Sequence, residues 1–72
     1  MKRTGTIRGK INKKYTEDGF FLFEFSDGCT HEIPIDYTTD TDRETIRRIR
    51  KGMDIVISYD KDENYIPDTV GF

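Results

Sequence analysis

Arg8, Lys10, Lys13 and Lys14 crowd one short stretch and lead directly into Tyr15. Further on, Phe20 and Leu22 occupy alternate positions of 18-DGFFLFEFSDG-28, and Tyr37 closes 32-EIPIDY-37. Cations hold phosphates and aromatic rings stack on bases, so this interleaving suits single-stranded nucleic acid. Arg3 belongs to the same basic block. A plainer reading competes, in which these cations form a solvated face paired with neighbouring acids. Arg43, Arg47, Arg48 and Arg50 make a second basic ridge. There the helix dipole and ion pairs such as Glu44–Arg48 already account for arginines near a helix C-terminus.

Other constellations fail on their own chemistry. Cys29 and His31 stand two apart and can share a strand face. A metal site, however, needs about four protein ligands, or three with an open position, and the chain has no second Cys or His. A Cys–His nucleophilic pair also needs an orienting third group and an oxyanion site. The run 60-DKDEN-64 begins like a calcium loop, but Tyr65 and Gly71 stand where that loop requires a glycine and a glutamate. No Walker-type loop or dinucleotide glycine pattern occurs. The expectation is a non-enzymatic chain that uses no metal and no cofactor.

The elements that must position these residues follow from periodicity and punctuation. A first strand is expected over about 3–15, with Ile7, Gly9, Ile11 and Tyr15 on one face and Arg8, Lys10, Asn12 and Lys14 on the other. The segment 16-TEDG-19 reads as a turn. In the second strand, 19–26, Phe21, Phe23 and Phe25 share a core face, while Phe20, Leu22 and Glu24 share a wet one. Asp27-Gly28 signals a hairpin into a third strand, about 30–37, with Ile33 and Ile35 inward. Core-to-core pairing sets Phe23 against Ile33 and Phe21 against Ile35. A strict two-residue turn would set Phe23 against Glu32, so a longer loop or a bulge is expected.

Thr41 and Glu44 have the spacing of a capping box for a helix carrying Ile46 and Ile49, stopped by Gly52. A fourth strand, 53-MDIVISY-59, alternates cleanly. A short last strand, about 65–72, contains Pro67, which implies an edge or a broken pairing.

Seventy-two residues make one domain, 1–72, small enough that nearly every large apolar side chain matters. Cys29 is the only cysteine, no apolar run could span a membrane, and no secretory pattern opens the chain. A cytoplasmic monomer is expected. The net charge of −2 hides segregation: residues 1–16 carry no acid, and residues 17–42 carry eight acids and no Lys or Arg. Residues 43–51 are basic again and 52–72 acidic. A polyanionic partner would have to meet the basic blocks and avoid the acidic ones.

Three strands, a short helix and two strands is the element order of an OB-fold. The expected fold class is therefore all-β, a small five-stranded OB-fold-like barrel with its helix between strands 3 and 4. An open α+β sheet with the helix across one face is the structural alternative. Within this frame the chain resembles a cold-shock domain. The segment 5-GTIRGKIN-12 is similar to the family's opening strand, 18-DGFFLF-23 to its second motif and 32-EIPIDY-37 to its third. The later 50-RKGMDIVISYD-60 also resembles the segment that follows them.

The resemblance implies that outward aromatics stack single-stranded bases. Phe20 keeps the first stacking position, Leu22 replaces the second, and Tyr37 keeps the last in kind. Pro34, Asp36, Gly9 and Asp18 stand where the family has phenylalanine, histidine, tryptophan and lysine. Ile33, Ile35 and Phe23 keep the buried positions. A core retained beneath a reduced platform implies weak, unspecific binding of single-stranded RNA or DNA through Arg8, Lys10, Lys13, Lys14, Tyr15, Phe20, Leu22 and Tyr37. The alternative is a protein-interaction module using an acidic-rimmed patch of Phe20, Leu22 and Pro34.

Overall fold

The computed structural model describes residues 3–72. Strand β1 (Gly5–Glu17) is followed by β2 (Phe20–Phe25), β3 (Thr30–Pro34), a 3₁₀ turn at Ile35–Tyr37, helix α1 (Asp40–Arg48) and β4 (Asp54–Tyr59). The four strands form one antiparallel sheet in the order β3-β2-β1-β4. The fold is thus mostly β with one short helix between the third and fourth strands; among the described residues the sheet has four strands and is not closed, so the coarser expectation holds and a five-stranded barrel is not shown. Residues 65–72 run beside β4 in two isolated bridges, Tyr59–Tyr65 and Val56–Gly71. Between them Pro67 and Asp68 (φ 67°) swing away, and the Thr69 hydroxyl accepts from the Ser58 amide instead of a strand carbonyl (3.3 Å). Proline has no amide to give a ladder, and here it breaks one.

Strand β1 holds the fold together and it must bend. Thirteen residues of straight strand would reach about 40 Å, yet the longest dimension of the molecule is 29 Å. Gly5–Lys10 pair with β4, whereas Ile11–Glu17 pair with β2, and a bulge interrupts the register between Ile11 and Lys13. A bulge inserts one unpaired residue, sharpens the local twist and reverses the facing of everything beyond it. Tyr15 therefore faces outward with Leu22, and Lys14 faces inward with Phe23, the opposite of strict alternation.

The two Asp-Gly pairs make different turns. Asp18-Gly19, both at positive φ (52° and 84°), form the two-residue hairpin between Glu17 and Phe20. At the second hairpin the Gly28 amide bonds the Phe25 carbonyl and the Phe25 amide bonds the Cys29 carbonyl (3.0 and 2.8 Å). With Gly28 at φ 90°, this is a three-residue loop with a glycine bulge, the longer connection expected there. It pairs Phe23 with His31 and Phe21 with Ile33, two residues from the expected partners but still on the inward face. Strand β3 ends at Pro34, so Ile35 lies in the 3₁₀ turn, half-buried, rather than inside a strand.

Phe23, Phe25, Ile11, Ile33, Ile55 and Ile57 fill the interior, with Ile46 from α1 and Ile49 at its C-cap closing it. Tyr59, Tyr65 and Val70 complete the core, and Ile7 and Phe21 flank it half-buried. The helix starts two residues earlier than the sequence suggested. Thr39, not Thr41, is the N-cap, and Asp42, not Glu44, completes the box. Asp42 is 1% exposed and also accepts from the Asp68 amide (3.1 Å). The C-terminal segment thereby locks the helix start. At the open mouth, the Tyr59 hydroxyl donates to the Glu32 carbonyl (2.6 Å) and Arg3 to the Thr30 carbonyl (3.2 Å). Side chains thus occupy carbonyls on the free edge of β3, which also carries Pro34, a protected edge rather than a template for another strand.

Candidate nucleic-acid interface

Three cross-strand rows make up the outer face of β1, β2 and β3. They are Lys13–Glu24–Thr30, Tyr15–Leu22–Glu32 and Glu17–Phe20–Pro34. Side chains opposite one another on a sheet face lie in contact, so Tyr15, Leu22, Phe20 and Pro34 form one apolar patch. All four are half-buried. The Lys13 ammonium sits 4.8 Å from the Tyr15 ring centroid, within cation–π range. Asn12 donates to Glu24 (2.7 Å), which fixes that carboxylate at the patch's border.

The same face continues along the first half of β1. Arg8 and Lys10 alternate with the inward Ile7, Gly9 and Ile11, and both are exposed, opposite Val56 and Asp54 of β4. The extra residue at the bulge keeps Lys13 in line with them. Among the described residues no ion pair engages Arg8, Lys10 or Lys13. The stripe is therefore uncompensated by contact pairs, unlike the helix ridge, where Arg47 and Arg48 share Glu44 and Arg43 pairs with Asp40. The hydrogen bond from Arg47 is the largest cause holding the Glu44 carboxyl below its ordinary range.

Two expected members stand apart. Lys14 leaves the outer face and donates to the carbonyls of Ile46 (2.8 Å) and Arg47 (3.4 Å), where a cation neutralises the negative end of the helix dipole. Burial, and then the charge of Arg50, pushes its ammonium pKa down. Tyr37 is 48% exposed on the 3₁₀ turn beyond Pro34, off the cross-strand rows. Arg3 is engaged structurally, with Thr30, Glu32 and the Tyr59 ring (5.4 Å). Gly9, where the cold-shock resemblance has an outward tryptophan, faces inward beneath Phe25.

Cys29 is exposed and free. His31 packs on Phe25 with ring centroids 4.6 Å apart, its Nδ1 buried without a partner. Burial first, then Arg3, lowers the His31 pKa, with Asp27 opposing. Both residues line an open groove of about 570 Å³ with Ile7 and Arg3. Among the described residues no group of three His, Cys, Asp or Glu side chains could hold a metal ion, and no helix is long and apolar enough to cross a membrane. No protein-family model matches the chain, and searches of curated proteins and of solved structures found no match.

The outward row of Tyr15 beside Leu22 is the feature that alternation missed. Its signal was in the sequence: unbroken alternation from Ile7 through Ile11 would send Lys13 into the core. A lysine in the phase of buried isoleucines marks a bulge.

Proposed function

We propose that this chain binds single-stranded nucleic acid weakly and with little sequence preference through the outer face of β1, β2 and β3. One observation carries the reading. The bulge brings the unpaired cations Arg8, Lys10 and Lys13 into line with the patch of Tyr15, Leu22 and Phe20. Phosphates would follow the β1 stripe while bases lie on Tyr15 and Phe20, with Leu22 as an apolar spacer. Tyr37 would serve as an outlying ring and Lys14 would act from behind, by fixing the helix. On this reading the protein is a non-catalytic, cytoplasmic monomer, and its sheet is an open relative of the OB and cold-shock barrels.

A second reading rests on the glutamates. Glu17, Glu24 and Glu32 each sit in one of the three rows, and an apolar patch so bordered suits a basic protein partner. Phe20→Ala separates the two when stability is measured alongside. Each base–aromatic stack is worth about 1–3 kcal/mol, so oligo-dT affinity at low salt should fall roughly five-fold or more while the fold survives. Unchanged oligonucleotide affinity in a folded variant would favour the protein-partner reading.

A further inference from the structure

A recess opens behind Tyr15. Backbone pairing on the β4 side of β1 ends at Ile11, which bonds Met53 and Gly52 (2.8 Å each), so the far edge of β1 beyond the bulge faces the C-terminal half of α1 rather than a strand. Between them lies a groove of about 280 Å³, at the small end for ligand sites. Tyr15, Phe21 and Ile46 give it an apolar lining, Lys14, Arg43 and Arg47 a cationic one, and no acid lines it. The negative end of the helix dipole would repel an anion here, but Lys14 is bonded to carbonyls that carry it. An ammonium has three donors, so Lys14 retains one. Arg50 lies close enough for its charge to depress the Lys14 pKa, and two cations in proximity are relieved by an anion. Arg47 reaches Glu44 through Nη2 alone, so its other guanidinium donors remain to meet an anion.

We propose that this groove is a site for one nucleotide unit, its phosphate held by Arg47 and Lys14 and its base against Tyr15 and Phe21. Arginine suits phosphate by its fork of donors, and an aromatic wall selects a nucleotide over a bare anion. The proposal rests on the nucleic-acid reading and extends it: Tyr15 belongs to both surfaces, so a strand crossing the outer face ends in this groove.

The test is an NMR titration of the ¹⁵N-labelled protein with thymidine 5′-monophosphate, thymidine, glycerol phosphate and inorganic phosphate, repeated on Arg47→Gln. Arg47 is largely exposed, so this variant should keep its melting temperature, and Arg50→Gln provides a second one. Saturable shifts at Tyr15, Thr16, Ile46 and Arg47 are expected with the nucleotide. Thymidine should bind far more weakly, and Arg47→Gln should weaken the nucleotide roughly ten-fold, as for a charge-assisted hydrogen bond. Equal affinity for inorganic or glycerol phosphate, no saturation, or indifference to both substitutions would overturn the site. Oligo-dT shifts on Phe20 and Leu22 with a silent groove would sink this proposal alone. A filled groove with a silent outer face would sink the broader reading instead.

Discussion

Single residues decide which surface this chain presents. One inserted position at Asn12–Lys13 sends Lys13 and Tyr15 outward and Lys14 to the helix. The phenylalanine faces were legible because alternation in β2 is unbroken, while Lys14 was misread because period-two reasoning cannot count across a bulge. Gly9 shows how tightly the inner face is specified. A Cβ there would fall within the Phe25 ring, itself 2% exposed. Gly9→Ala should therefore destabilise the fold by about 1–3 kcal/mol, read as a lower urea midpoint at unchanged slope. An unshifted midpoint would mean that Phe25 does not cover Gly9. The inward glycine also explains why a stacking tryptophan has no place at this position.

Between elements, two buried tyrosines act as ties. Tyr59 joins β4 to the free edge of β3. Tyr65 accepts from the Val70 amide (3.1 Å) and lies beside the buried Asp42 that caps the helix. Burial, the largest cause for each, pushes both phenols up to about 12, against about 10 in an unfolded chain. The fold thus favours the neutral phenol. That contribution is fully present below pH 10 and is lost as pH rises from about 10 to about 12. The expected outcome is a loss of up to about 2 kcal/mol per tyrosine over that window, followed by urea denaturation. Tyr59→Phe should flatten the dependence. Stability independent of pH over this window would show that these hydroxyls are not buried. Helix capping shows what sequence resolves at this scale. Thr39–Asp42 and Thr41–Glu44 both have the spacing of a cap, and the choice falls to Asp68, far along the chain, whose amide needs the Asp42 carboxylate.

For the whole molecule, the order of strands and helix was readable, as was most of the core. Closure was not. Pro67 marked a break, but only the path of 65–72 along β4 shows that the break leaves two bridges instead of a fifth strand. The segregated charge, invisible in a net −2, becomes a basic stripe on one strand beside an apolar patch edged by glutamates. The direct test of the central claim is an NMR titration of the labelled protein with oligo-dT and oligo-U at low and at physiological salt. The account predicts saturable shifts on Arg8, Lys10, Lys13, Tyr15, Phe20 and Leu22 that weaken with salt but keep their location. Shifts that are absent, or scattered over surface lysines and abolished by salt, would contradict it.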